Sequence, residues 1–238
     1  MDGPRICRAA LHALHGVRGT MHRMPLQNRV TPSGELVAVA SRGLLMGNRG
    51  GRLHRDDRTL GTRRWASRAW ICCVLEFKGR HRAVWGSGYT ELFFLDEPTA
   101  LAAGHRPCFE CRRRDAVAFA ASWAAARHES VPPRAAEMDR VLHAERLEGR
   151  NKRRHSLPID NLPDAAMLAI PAEPNSVFVL RGESLLRWRP ERYGDPRPRP
   201  RGIAVDVLTP PSILAVLAQD YRPQWHPSAQ ACLCGRRS

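Results

Sequence analysis

The chain has 238 residues, of which 43% are hydrophobic and 26% are charged, a composition typical of a globular protein with its own core. No apolar run approaches the length of about 18 residues that a membrane-spanning helix needs, and seven cysteines are an odd number that argues against a secreted disulfide scaffold. The net charge of +15 predicts an anionic partner, and nucleic acid is the simplest candidate.

The first elements are a leader and a Gly-rich region. Residues 1–23 are basic and carry only a short Ala/Leu patch, which predicts a leader outside the core or a start of translation placed too far upstream of Met24. The patch is too short for a secretory signal, so we expect a cytoplasmic protein. A strand is predicted over Glu35–Val39, and the stretch Met46–His54, which lacks a Walker lysine, is predicted to be a loop.

An antiparallel β-meander is predicted after residue 69, because apolar runs alternate there with Gly-rich turns. Its strands are expected over Trp70–Lys78, His81–Trp85 and Tyr89–Leu95. Asp96 is a good N-cap and Gly104 a good stop for a short helix. The predicted helices cover Glu97–Ala103, Arg112–Arg127, Ala135–Glu148 and Ser212–Gln219.

The composition changes near residue 150. Residues 150–155 form a charge run typical of a solvated loop, and residues 189–202 form a Pro/Arg-rich extended loop. Short strands are predicted over Ala165–Ile170, Ser176–Leu180, Leu185–Arg189 and Ile203–Leu208. The predicted fold class is α+β: a zinc-stabilised antiparallel β-meander with helices at residues 24–150, then a small mixed region at residues 151–238.

Cys108 and Cys111 form a Cys-x-x-Cys knuckle between two predicted helices. Two thiolates at this spacing can ligate one tetrahedral Zn²⁺, so the pattern predicts a structural zinc site. A redox pair is an alternative, but thioredoxin-like pairs follow a strand of a βαβ unit, whereas a helix precedes this knuckle. Two unrelated free thiols are the remaining interpretation.

The other zinc ligands are expected from the first strand of the meander and from a histidine. Cys72 and Cys73 are adjacent, so their side chains point to opposite faces of a strand, and Cys73 shares the apolar face that we expect to meet the knuckle. The alternative is that both are small buried hydrophobic residues. His54 is the first candidate for the fourth ligand. Other candidates are Cys72 through a bulge, His105 and His81.

The segment from Leu92 to Arg112, which includes Gly-His-Arg-Pro-Cys-Phe-Glu-Cys-Arg, resembles the second half of the Ada-type metal-binding domain. The resemblance covers about residues 70–115 and implies that Cys108 and Cys111 are zinc ligands. Some members of that family are DNA-repair proteins in which a zinc-bound cysteine accepts a methyl group from a DNA phosphotriester. The family's first two ligands are separated by a three-residue spacer, whereas Cys72 and Cys73 are adjacent. The whole chain also resembles an uncharacterised bacterial family.

The predicted function is therefore zinc-dependent binding of nucleic acid, in the context of DNA repair. The arginines beside the knuckle are the expected phosphate contacts, and they are Arg106, Arg112, Arg113 and Arg114. One alternative is a metal-dependent hydrolase or nuclease. Its candidate residues are His54, Asp56, Asp57, Glu91, Asp96 and Glu97. The other alternative is a protein–protein interaction module in which zinc is only a structural staple.

Overall fold

The computed structural model describes residues 24–80 and 83–230, which form two six-stranded sheets, a two-stranded hairpin and four α-helices. This mixed architecture agrees with the predicted α+β class. The predicted leader at residues 1–23, His81, and the tail cysteines Cys232 and Cys234 lie outside the described residues. Within the described ranges, every helix is too short or too polar to cross a bilayer.

The first sheet is built from six short strands of the N-terminal half. They are β1 (Gln27–Val30), β2 (Leu36–Ala38), β3 (Leu45–Asn48), β4 (Ile71–Cys73), β5 (Leu92–Phe94) and β6 (Arg106–Pro107). Their order is β2-β1-β5-β3-β4-β6. The pairs β1/β5 and β4/β6 are parallel, and the other neighbours are antiparallel.

The predicted meander is therefore wrong in its pairing. β3 lies between β4 and β5 and pairs with both, so the stretch predicted as a Gly-rich loop begins with an interior strand. Gly47 permits this because a Cβ there would lie only 2.2 Å from the carbonyl oxygen of Ile71. Residues 83–85 of the predicted middle strand contain a turn, in which Trp85 has a φ of 59° and stacks on His54.

The four helices lie within two residues of their predicted limits. They are α1 (Glu97–Ala102), α2 (Arg113–Ala126), α3 (Ala135–Arg146) and α4 (Pro211–Ala218). Asp96 caps α1 by accepting a 3.1 Å hydrogen bond from the Thr99 amide, and Gly104 follows the helix at a φ of 86°. Phe119 of α2, Leu142 of α3 and Ile213 of α4 share one fully buried cluster. The local patterns of capping and apolar spacing were therefore sufficient to locate the helices.

The C-terminal half adds a hairpin and an antiparallel sheet. Its strands are β7 (Leu147–Glu148), β8 (Asn151–Lys152), β9 (His155–Pro158), β10 (Met167–Ile170), β11 (Glu173–Arg181), β12 (Ser184–Trp188), β13 (Tyr193–Pro198) and β14 (Ala204–Val207). The hairpin pairs β7 with β8, and the sheet order is β13-β12-β11-β10-β14-β9. Two predicted loops are thus partly strands: residues 189–202 contain the edge strand β13, and residues 150–155 contain β8.

Packing joins the two halves of the chain on both sides of residue 150. Ala102 of α1 is fully buried in a cluster with Met167 and Leu186 of the second sheet. The carboxylate of Asp96 accepts hydrogen bonds from the Tyr193 hydroxyl at 2.8 Å and the His226 amide at 3.1 Å. These contacts tie the segment after α4 to the helix that leads into the knuckle.

The carboxylate of the next residue, Glu97, also bonds to the segment after α4. Glu97 accepts hydrogen bonds from the Tyr221 hydroxyl at 2.7 Å and from the Gln224 amide at 2.8 Å. It also forms a buried ion pair of 2.7 Å with Arg112, the residue that precedes α2. Asp96 and Glu97 are therefore buried, and their hydrogen bonds hold the segment after α4 against α1.

Candidate metal centre

The knuckle is positioned by two parallel neighbours, β4 and β6. Cys72 pairs with Pro107 across these strands, and the amide of Cys108 donates a 2.9 Å hydrogen bond to the carbonyl of Cys72. Cys108 thus comes directly after β6, beside the end of β4 that carries Cys73. The chain then turns, with the amide of Arg112 donating to the carbonyl of Cys108 at 3.0 Å, and α2 begins.

Three thiols meet at this point, and we call them the thiol cluster: Cys73, Cys108 and Cys111. Their Sγ atoms all lie within 4.8 Å of one another. The amide of Glu110 also donates a hydrogen bond of 3.4 Å to the Cys108 sulfur. This arrangement of one strand cysteine and a Cys-x-x-Cys turn could hold a metal ion.

Hydrogen bonds among the three thiols shift their pKa values in different directions. Hydrogen bonds from Cys111 and Cys73, and then from backbone amides, hold the pKa of Cys108 far below its ordinary value. The hydrogen bonds to Cys108 and Cys111, together with burial, raise the pKa of Cys73, and the bond to Cys108 raises that of Cys111. One thiol ionises readily by itself, and a cation is needed for all three to become thiolates together.

Cys72 faces the opposite side of β4. It is fully buried in the core of the first sheet with Leu92 and Phe94, and burial raises the pKa of its thiol. Its sulfur accepts a hydrogen bond of 3.5 Å from Arg112. Strand alternation therefore separates the adjacent cysteines as predicted, and Cys72 stands outside the thiol cluster.

His54 also stands outside the cluster, which corrects its selection as the first candidate for the fourth ligand. Its Nδ1 lies 2.8 Å from the Thr90 hydroxyl and its Nε2 lies 2.9 Å from the Gly86 carbonyl. With both ring nitrogens engaged and the ring stacked on Trp85, His54 organises the loop before β5. Among residues 24–80 and 83–230, no fourth His, Cys, Asp or Glu joins the three thiols.

His105, another candidate, is buried on the other side of the knuckle. Its Nε2 accepts a 3.3 Å hydrogen bond from the Nε of Arg49, and its ring packs against Trp70 and Phe94. Burial, followed by the charges of Arg49 and Arg146, holds the pKa of His105 well below its ordinary value. His105 is therefore a neutral core residue.

An open cavity of about 440 Å³ borders the thiol cluster. Its walls are mainly apolar, and they include Met46 of β3, Phe93 of β5 and the segment after β4. The contribution of β3 was missed in the sequence, where residues 46–54 were predicted to be a loop; the apolar pair Leu45-Met46 was the available signal. Glu91 also lines the cavity, but one of its oxygens accepts the Trp85 amide at 2.8 Å.

Two of the four arginines predicted to contact phosphate are buried ion-pair partners. Arg106 makes a bidentate pair with Asp139 at 2.9 and 2.8 Å, and Arg112 pairs with Glu97 and Asp115. Both arginines are 5% exposed, so their guanidinium groups are unavailable to a ligand. Each arginine is buried because a buried carboxylate neutralises it, Asp139 for Arg106 and Glu97 for Arg112, and both carboxylates are distant in sequence.

Arg113 and Arg114 are exposed in the first turn of α2, directly after the knuckle. They are the two predicted phosphate contacts that remain accessible. The predicted hydrolase residues Asp56 and Asp57 are also exposed, and Asp56 pairs with Arg52. These side chains do not converge with Asp96 and Glu97, which are engaged with the C-terminal segment.

Comparisons with protein-family models, with curated proteins and with solved structures found no match to this chain. The resemblance to the Ada-type domain therefore stays a prediction that rests on the residues around the knuckle. The geometry of the thiol cluster stands independently of it.

Proposed function

We propose that this protein binds zinc through the thiol cluster and binds nucleic acid beside it. The observation that carries the proposal is the convergence of Cys73, Cys108 and Cys111, whose sulfurs lie within 4.8 Å of one another. Two of these residues come from a turn and the third from a neighbouring strand. Such a set brings distant parts of the chain to one point, as ligand sets of zinc sites do.

Zinc fits the donor set better than other common metals. Thiolates are soft ligands that favour zinc, copper(I) or iron–sulfur clusters, and magnesium and calcium prefer oxygen. The bound cation would supply the positive charge that lets all three thiols ionise. The three ligands found among residues 24–80 and 83–230 leave a coordination position for a fourth group, and the adjacent cavity gives that group space.

Nucleic acid is supported by the net charge of +15 and by exposed arginines near the cluster. Arg113 and Arg114 extend from the start of α2, where the helix dipole also favours an anion. The resemblance to the Ada-type domain supports a role in DNA repair. Phosphate contacts of this kind are independent of base sequence.

Elemental analysis of protein purified under reducing conditions tests the metal. We expect about one zinc per chain, retained by gel filtration. Because metal binding is coupled to folding, a strong chelator should lower the melting temperature markedly. Protein that contains no transition metal and melts identically with chelator would contradict the proposal.

Titration of a labelled DNA duplex at several salt concentrations tests the second part. The affinity should fall steeply with salt, because each arginine–phosphate contact releases a counterion. The double variant Arg113→Ala/Arg114→Ala should bind more weakly and show a shallower salt slope. Its matched control is Arg192→Ala/Arg222→Ala, which removes two exposed charges from the C-terminal half. Equal weakening of both variants would show that only net charge matters.

A metal-dependent hydrolase is the second candidate, and one observation favours it: the cavity shares all three cysteines with Glu110 and Glu91. A zinc with an open position at such a cavity could activate water. Turnover of a model phosphodiester by zinc-loaded protein, lost in Cys111→Ser, would support this candidate. Absence of turnover in protein with full zinc content would exclude hydrolysis of this substrate class.

A further inference from the structure

A second cavity, of about 560 Å³, opens at the start of β4, away from the thiol cluster, and it is strongly basic. We call it the cationic pocket. Its cationic lining consists of Arg49, Arg64, Arg146, Arg150, Lys152 and Arg154. Glu35 is the one carboxylate among its described lining residues, and that side chain is exposed to solvent.

Two of these cations are completely removed from water. Arg49 is 1% exposed and Arg146 is 0% exposed. Both guanidinium carbons lie 3.9 Å from the centroid of the Trp70 ring, so the two like charges are close neighbours. Lys152 is partly buried beside them, with its ammonium bound to the carbonyl of Ala102. Burial and the neighbouring charges of Arg146, Arg49 and Arg154 lower the pKa of Lys152 to about 7.

The hydrogen bonds of these groups are made with neutral acceptors. Arg49 donates to the carbonyls of Gly34 at 2.8 Å and Arg64 at 3.3 Å, and Arg146 donates to Gly104 at 2.9 Å. Within residues 24–80 and 83–230, none of the ion pairs includes Arg49, Arg146 or Lys152. Asp139 attracts Arg146 electrostatically, but its two oxygens are engaged by Arg106.

A buried cation without a counter-charge is costly, and carbonyls and an aromatic ring offset only part of that cost. Two buried polar atoms at the same place also lack a hydrogen-bond partner: Nε of Arg146 and Nδ1 of His105. The concentration of uncompensated positive charge in a concave site is the arrangement expected of an anion-binding site.

Trp65 provides a flat surface in the same cavity. Its ring is partly exposed and packs on Trp70 at 6.0 Å and on His143 at 5.9 Å between centroids. An indole in this position can stack on a nucleobase. A cavity of this volume is within the range that holds a ligand of nucleotide size. We propose that the cationic pocket binds a nucleotide, with its base on Trp65 and its phosphate on the accessible cations Arg64, Arg150, Lys152 and Arg154. The buried charges of Arg49 and Arg146 add to the positive potential of the site without touching the ligand.

Isothermal titration of the full chain with inorganic phosphate, adenosine monophosphate and adenosine, at fixed ionic strength, tests the proposal. Phosphate and the nucleotide should bind in competition with each other, the nucleotide should bind more tightly, and adenosine should bind most weakly. Equal affinity for phosphate and nucleotide would overturn the role of Trp65. No heat from either anion at millimolar concentration would overturn the site.

Lys152→Met should weaken nucleotide binding at least about tenfold, because it removes a charged hydrogen-bond donor while keeping an unbranched side chain only one atom shorter. The matched control is Arg153→Met, which removes an exposed charge that does not line the cavity. Equal weakening by both changes would overturn the assignment to this pocket. Trp65→Ala should lose the preference for nucleotide over phosphate but keep phosphate binding.

A direct measurement on the unaltered protein covers the case of a variant that does not fold. The phosphorus resonance of adenosine monophosphate should broaden when the protein is added and sharpen again with excess phosphate. The titrations should give the same result with and without zinc chelated, provided that the chain stays folded. A protein that fails to bind zinc or DNA could therefore still bind a nucleotide here. A protein that fails to bind a nucleotide could likewise still bind zinc and DNA.

Discussion

The two ends of the strand pair β4/β6 carry groups of different chemistry, thiols at one end and cations at the other. Trp70 and His105 precede the two strands and belong to the surroundings of the cationic pocket, whereas Cys73 and Cys108 lie at the other end, in the thiol cluster. Three residues of extended chain separate the two ends, about 10 Å. One end gathers groups that become anions, and the other gathers groups that are already cations.

The difference shows how one short motif can serve two sites. In Gly104-His105-Arg106-Pro107-Cys108, the first two residues pack against Arg146 and Arg49, and the last supplies a thiol. Arg106 lies between them and is neutralised by Asp139. The paired arginine thus lies between the thiol cluster and the surroundings of the cationic pocket.

The largest expected effect concerns the adjacent cysteines at the thiol end. Cys73→Ser should lose zinc as completely as Cys108→Ser, because each removes one of the three sulfurs that converge among the described residues. Cys72→Ser should keep most of its zinc, since that sulfur faces the core beside Arg112. Elemental analysis of the three purified variants measures this. Full zinc content in Cys73→Ser would show that the thiol cluster is not the zinc site.

The next effect concerns the arginine between the two sites. Arg106→Met should lower the free energy of unfolding by about 3–5 kcal/mol, because it leaves the Asp139 carboxylate buried and unpaired. The double variant Arg106→Met/Asp139→Leu should recover much of that loss. Urea denaturation of both variants tests the prediction, and an unaffected Arg106→Met would mean that the pair does not separate the sites.

A smaller effect is expected at Gly104, on the cationic side. Gly104→Ala should destabilise the fold by more than about 1 kcal/mol, because φ is 86° and the added Cβ would lie 2.5 Å from Cδ of Arg146. Gly149→Ala is the matched control. Its φ is also positive, at 59°, but nothing lies within 4 Å of the added atom. Thermal melts should show the larger loss for Gly104→Ala, and equal losses would indicate backbone strain alone.

A pH dependence is also expected at the cationic end. Because the pKa of Lys152 falls from its ordinary value of 10.5 to about 7 in the folded chain, the unfolded chain holds more protons between these values. The free energy of unfolding of the unaltered chain should therefore rise with pH across this window, relative to Lys152→Met. Arg146, Arg49 and Arg154, whose charges lower the pKa of Lys152, are present in both proteins, so the comparison isolates the contribution of Lys152. A flat difference between the two proteins would contradict the lowered pKa.

The local features of the fold were predictable from the sequence, and the long-range ones were not. The helices were located by Asp96, Gly104 and their apolar spacing, and strand alternation separated Cys72 from Cys73. The pairing of β3 with β4 and β5 depends on how closely backbones approach at Gly47, which no local pattern records. The same limit applies to Arg106 and Arg112, whose partners Asp139 and Glu97 lie 33 and 15 residues away.

The cationic pocket was missed for a related reason. Arg49 comes from β3's Gly-rich surroundings, Arg146 from the end of α3, and Lys152 from a charge run predicted to be solvated. Each is ordinary in its local context. Their shared burial around Trp70 arises only when the first sheet, α3 and the hairpin β7/β8 assemble, so the sequence holds no short-range signal for it.

The bonds between α1 and the segment after α4 have a consequence for synthesis on the ribosome. The donor to Glu97 from Tyr221 is synthesised 124 residues later than Glu97, and the donor to Asp96 from His226 is synthesised 130 residues later than Asp96. Until that segment emerges, Glu97 lacks the hydrogen bonds from Tyr221 and Gln224, and Asp96 lacks the one from the His226 amide. At about 5–20 residues per second, that delay is on the order of 6–25 seconds. The nascent knuckle is therefore exposed to metal and to thiol oxidants well before its surroundings close.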